Sequence, residues 1–178
     1  MNYVFLVGII AGALYAFLSL GKTKTTNGLT FNFSSYSELV GLMESNNNYM
    51  AKSEAGALGK YQIIPATLNF LQNEYDLEKW IDENNFLTST SLQDIYFETL
   101  VNDTLNRTID LHQYFGAYVC GSLRFQDICS NVNIYGILAG AHLGGIGGVK
   151  NFLKGIKDAN DGHTSVSDYV TYFSKNLS

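Results

Sequence analysis

The sequence predicts a mostly α-helical domain preceded by an N-terminal transmembrane helix. Three observations carry this. Tyr3 to Leu20 is apolar or small throughout; several stretches between residues 35 and 173 repeat apolar residues at helical spacing; strand signals are sparse and no internal repeat is found. The 178 residues leave room for one globular domain with a sizeable core. A net charge of −5 and the absence of any basic run exclude a nucleic-acid partner, because phosphate neutralisation needs clustered Lys and Arg. Three His and two Cys are too few and too scattered for a structural zinc site, so no metal is assigned. No glycine-rich phosphate loop opens a helix after a strand, which excludes a nucleotide enzyme.

The apolar run YVFLVGIIAGALYAFLSL reaches roughly 27 Å at about 1.5 Å per residue, enough to cross a bilayer core. No Lys or Arg precedes it and no A-x-A site follows, which favours an anchor over a cleaved signal segment. The lipid bilayer is therefore an expected partner through residues 3–20. Lys22 and Lys24 follow the run; in a bacterial inner membrane they would hold the domain on the cytoplasmic side, a tendency that a virion membrane need not obey. The chain is divided into an anchor or signal segment at 1–21, a polar linker or extended lead-in at 22–33, and the domain at 34–178.

Ser35 and Glu38 have capping-box spacing, so a helix is expected from Ser35 with Leu39, Val40, Leu42 and Met43 on its buried face and Glu44 near its end. Residues 46–60, with three consecutive Asn and two Gly, read as an irregular loop or small hairpin. Pro65 suits the first turn of a helix through Leu68 and Leu71. Further helices are expected over 75–84 and 91–119. Two short ones follow at 131–143 and 148–155, separated by Gly144, Gly145, Gly147 and Gly148. Thr164 or Ser165 caps a last helix ending near Phe173. Cys120 and Cys129 could close a disulfide loop in an oxidising compartment or remain as two buried thiols. The tail D-A-N-D-G-H-T-S-V-S-D lacks one residue of a calcium-loop pattern and reads as a turn before a helix cap.

The stretch from Glu44 to Thr67 reads E-S-N-N-N-Y-M-A-K-S-E-A-G-A-L-G-K-Y-Q-I-I-P-A-T. It resembles the first motif of the lytic transglycosylases and related lysozyme-like phage muralytic enzymes, in which an E-S pair closes a helix and G-A-x-G-x-x-Q-I-x-P-x-T follows. Glu44, Ser45, Gly56, Ala57, Gly59, Gln62, Pro65 and Thr67 agree together without a gap, and Gly59-Lys60-Tyr61-Gln62 resembles the phage variant. The resemblance implies a lysozyme-like fold, Glu44 as catalytic acid, and substrate contacts from Ser45, Gly59, Tyr61 and Gln62. A second resemblance covers residues 139–155, where the family motif is roughly A-Y-N-A-G-x-G-x-V. His142 takes its Tyr position and Leu143 its Asn position, so the two polar family residues are replaced. His142 either bonds Glu44 or the substrate, or is a satisfied core histidine. Tyr135, seven positions earlier on the same expected helix, is a second candidate to line the cleft.

The residue types make chemical sense alone. Cutting a glycosidic bond needs a proton delivered to a weakly basic ether oxygen, and a carboxylic acid in an apolar cleft supplies it near neutral pH. Glu44, following Leu42 and Met43, is expected to be partly desolvated; an isolated Glu at a helix end is ordinarily a solvated carboxylate, and the eight-position agreement argues otherwise. Gly56 and Gly59 let the backbone pass close to a bulky sugar. The motif supplies one carboxylate where a hydrolase normally shows two, and Glu54, Glu74 and Asp76 carry no resemblance. What the resemblance implies is therefore a single-Glu lytic transglycosylase that cuts the β-1,4 bond between N-acetylmuramic acid and N-acetylglucosamine in peptidoglycan without a cofactor. A water-using muramidase of the same fold and a non-catalytic wall-binding protein of a membrane-containing virion are the competing readings. The setting is membrane-anchored, on a phage virion membrane or a bacterial envelope with the domain facing the wall.

Overall fold

In the computed structural model the described residues are 23–26, 29–79, 82–123 and 126–178. The expected anchor at residues 3–20 lies outside them; among the described residues no helix is long and apolar enough to cross a membrane. The segment expected to be a linker or an extended lead-in is extended and pairs with itself. Strands β1 (Thr23–Thr26) and β2 (Leu29–Asn32) run antiparallel, with Thr23 opposite Asn32. Phe31 is 2% exposed, so folded structure begins ahead of residue 34.

Helix α1 (Phe33–Ser45) starts directly after this hairpin, capped by Asn32, whose Oδ1 accepts from the Ser35 amide at 3.0 Å. The expected Ser35–Glu38 box is not used. Phe33, Tyr36 and Val40 lie at helical spacing and are buried, and burying two aromatic rings outweighs a few tenths of a kcal/mol between rival caps. Leu42, expected inside, is 47% exposed.

Pro65 opens α2 (Pro65–Tyr75) as expected, and Asp76 ends it in the left-handed conformation. The helix expected over 75–84 therefore does not form. A short helix, α3 (Glu83–Thr88), starts instead at Asp82, whose carboxylate accepts from the Asn85 amide. The long helix expected to reach residue 119 stops twelve residues short: α4 runs Thr90–Arg107, a 3-10 turn follows at Ile109–Tyr114, and Gly116 takes a positive φ. Beyond it lies an unexpected hairpin, β3 (Tyr118–Leu123) against β4 (Gln126–Asn131).

The two short helices expected around the glycine cluster form, described together as α5 (Ile134–Leu153) and separated by a kink at Gly145, where φ is 68° and ψ is 170°. Only a residue without Cβ adopts that backbone cheaply. The last helix, α6 (Val166–Asn176), has a full capping box between Ser165 and Asp168. It packs on α5 at close range. A Cβ at Gly136 would lie 2.1 Å from Ser174 Oγ, and one at Gly140 would lie 2.7 Å from Val170 Cγ2. That intimacy aims the α6 residues across the molecule towards α1. At the centre, the Tyr36 ring meets those of Phe97, Phe173 and Tyr135 at centroid distances of 6.0, 5.8 and 6.3 Å.

Cys120 and Cys129 face each other across β3–β4 and are disulfide-bonded, which excludes the buried-thiol alternative. The hairpin packs on α6, and neither cysteine belongs to the Glu44–Thr67 stretch. Replacing both cysteines by Ser should therefore lower stability by about 2–3 kcal/mol through a freer unfolded chain, while activity at 25 °C is retained. Chemical denaturation of both proteins, with and without reductant, checks this; equal midpoints would show that the bond contributes nothing.

Candidate active site

Glu44 sits in the last turn of α1, where the chain reverses sharply. Asn46 and Asn47 both take positive φ (56° and 60°), and their amides donate to Leu42 O and Gly41 O at 3.2 and 2.8 Å. The loop then folds back under the helix end. Ser45 Oγ donates to Lys60 O at 2.8 Å and accepts from the Asn48 amide at 3.0 Å. Ser45 is thus a brace between helix and loop; it does not line the larger cavity and instead lines a smaller one with Glu44, Met43 and Tyr172.

A cavity of about 960 Å³ opens in front of Glu44, lined also by Gln62, Thr67, Phe97, His142 and residues 145–147. The Glu44 side chain is 15% exposed, as its position after an apolar helix face suggested. The Tyr169 hydroxyl, from α6, donates to Glu44 Oε1 at 2.8 Å. Burial, then the neighbouring Glu44 carboxylate, push the Tyr169 phenol well above its ordinary value, so it remains a donor. Tyr36, fully buried beneath, is pushed up by the same two causes in the same order.

His142 lies beside the acid, Nε2 to Glu44 Oε1 being 3.7 Å, but its shorter contact is with the backbone. Nε2 is 3.0 Å from Tyr61 O, and since a carbonyl only accepts, Nε2 carries the proton. His142 is therefore both a cleft wall and a fastener, joining α5 to the loop that follows Gly59. Among the described residues, Glu44 has its direct hydrogen bond from Tyr169 rather than from the residue at the family's Tyr position.

The other expected contacts are placed differently. Tyr61 is 4% exposed; its ring stacks on Phe97 at 3.9 Å and its hydroxyl donates to Asp94, so the aromatic body serves the core. Tyr135 is 5% exposed and its hydroxyl accepts from the Asn32 amide at 2.8 Å, tying α5 to the start of α1. Gly59 (φ 73°) faces Gln93, not open cleft: a Cβ there would lie 2.0 Å from Gln93 Oε1. Gln62 does line the cleft. It holds φ 48° with its amide nitrogen donating to Gly59 O at 2.8 Å, leaving its amide oxygen for a ligand.

Tyr169, Asp161, His163, Phe70 and Arg107 also line or enclose the site and were not anticipated. Only Tyr169 left a trace in sequence, as the one hydroxyl in the stripe Val166, Tyr169, Val170, Phe173. Removing that hydroxyl by Tyr169→Phe should lower kcat about tenfold, the worth of one hydrogen bond to a charged acceptor. KM and the far-UV spectrum should stay near wild type. Unchanged kcat would mean that Glu44 does not depend on this donor.

A buried carboxylate closing the first long helix, a return loop, and a cleft lined by a broken helix belong to a mostly helical, lysozyme-like fold. The chain is similar to the 70 kDa soluble lytic transglycosylase of Escherichia coli, with a TM-score of 0.51 and 17% sequence identity over 83% of this chain. It spans 21% of that protein's length. No family model matches the chain and no curated protein matches it significantly.

Proposed function

We propose that the protein cleaves peptidoglycan glycan strands at the β-1,4 bond between N-acetylmuramic acid and N-acetylglucosamine, as a lytic transglycosylase with Glu44 as its single acid. The observation that carries the reading is a largely buried carboxylate, held on one oxygen by Tyr169, that opens onto a cleft large enough for several sugars. Glu44 gives its proton to the glycosidic oxygen as the bond to muramic-acid C1 breaks, and N-acetylglucosamine leaves as an alcohol. The muramic acid's own acetamido oxygen bonds C1. Glu44, now a carboxylate steadied by the Tyr169 hydroxyl, takes the proton of the C6 hydroxyl. The C6 oxygen displaces the acetamido oxygen, which closes a 1,6-anhydro ring and leaves Glu44 protonated again.

A water-using muramidase is the second reading, because Glu54 and Asp161 line the same cleft and would be its candidate bases. Mass spectrometry of fragments from purified sacculi separates the two. Anhydromuramic ends are expected; reducing ends would assign the hydrolase, and no soluble fragments would remove both. With this reading goes an anchor at residues 3–20, on a phage virion used for local wall penetration or on a bacterial envelope. Detergent-phase partitioning of the full chain tests the anchor, and copurification with virions tests the setting.

A further inference from the structure

The cleft continues well past Glu44 along α4. Phe97 meets the His142 ring edge-on at 5.9 Å, and Arg107 lies ten residues further along the same helix, about 15 Å away at the helical rise. Among the described residues lining the cavity, Arg107 is the only Lys or Arg, while Glu44, Glu54, Asp103 and Asp161 are acidic.

Its side chain is held in place. Arg107 Nη1 donates to Asp103 Oδ2 at 3.0 Å, and Asp103 Oδ1 accepts from the Tyr75 hydroxyl at 2.7 Å. The Asp103 side chain is only 9% exposed, whereas that of Arg107 is 56% exposed. Breaking this half-buried pair would leave a buried carboxylate unpaired, so Arg107 also steadies α4. The buried aspartate also orients the planar fork: Asp103 takes one N–H on Nη1, and the other N–H groups are left to a ligand. Guanidinium N–H pairs match carboxylates in geometry and charge. Phe70, 42% exposed on α2, adds an apolar surface to the same cavity.

We infer that Arg107 is a specificity residue that binds a carboxylate carried by the substrate away from the bond being cut. Resting on the peptidoglycan reading above, the ligand class is a glycan strand whose stem peptides bear free carboxylates, and strands without such charge are poorer substrates. Arg107 takes no part in the proton transfers at Glu44.

The test compares untreated sacculi with sacculi whose free carboxylates have been converted to carboxamides. The full-length wild-type protein should release fragments from untreated sacculi about threefold to fivefold faster, the range for one partly exposed ion pair, and raised salt should compress that ratio. In Arg107→Gln the ratio should fall to about one. The double variant Asp103→Asn/Arg107→Gln keeps an acceptor for Tyr75 and leaves no buried charge unpaired, so it gives the same answer if the single variant fails to fold. A wild-type ratio of one, or a ratio that survives both variants, overturns the inference. Cosedimentation with the two kinds of sacculi is measured alongside. If nothing is cleaved, the proposed reaction fails, and the Arg107 site still stands or falls on whether binding drops on amidation and in the variants.

Discussion

Glu44→Gln should abolish release of soluble fragments from purified peptidoglycan, with a rate reduced at least about a thousandfold, within the range for losing a positioned general acid. The substitution is nearly isosteric. Its amide oxygen can still accept from the Tyr169 hydroxyl, which now donates to Oε1 at 2.8 Å, so the end of α1 and its packing on α6 are kept. The melting midpoint should therefore stay close to that of the wild type, and cosedimentation with sacculi should persist. That combination separates chemistry from folding. A Gln variant that clears peptidoglycan at near wild-type rate places the acid elsewhere. A wild-type chain that binds sacculi yet releases nothing belongs instead with non-catalytic wall-binding proteins.

The position of Glu44 at the helix end, and the loop after it, were legible because the stretch that follows is local. From Glu44 to Thr67 the chain folds back on itself through short-range contacts, such as Leu58 with Ile63 and Gly59 with Ala51. Residue spacing therefore carries most of the geometry. Tyr169 was not legible, because its bond to Glu44 joins residues 125 positions apart and depends on how closely α5 and α6 pack. The start of α1 was misplaced for a similar reason: the choice of Asn32 over Ser35 is made by Phe33 and Tyr36 finding the core, not by cap chemistry. The β3–β4 hairpin escaped notice because Tyr118-Val119-Cys120-Gly121-Ser122-Leu123 has only one buried residue and a central glycine. Tyr61 and Tyr135 show the converse error. Both belong to the site's neighbourhood in sequence, but each ring is spent on the core that holds the site.

Gly59 carries the second large effect, and it tests which role that residue has. If the glycine were needed only for close approach of a sugar, Gly59→Ala would cost stability no more than the roughly 1 kcal/mol of its positive φ and would otherwise weaken substrate binding. The structure assigns a different cause. Gln93 is 1% exposed, and its side chain is fully engaged. Oε1 accepts from the Lys60 amide at 2.8 Å, while Nε2 donates to Tyr49 O and Phe86 O at 2.9 and 3.0 Å. A Cβ on residue 59 would stand 2.0 Å from Oε1 and 2.5 Å from Cδ, so Gln93 must move and release the buried Lys60 amide and Phe86 carbonyl. The positive φ of 73° adds about 1 kcal/mol for any residue with a Cβ. Together these should destabilise Gly59→Ala by about 3–5 kcal/mol, the range reached when a buried hydrogen-bond network breaks. The drop should appear in urea or thermal unfolding of the protein without substrate. Loss of the Gln93 brace would also loosen Tyr61 O, the partner of His142, so activity should fall with stability and not ahead of it. A variant that loses no more than about 1 kcal/mol but cleaves poorly would return Gly59 to the sugar-binding surface.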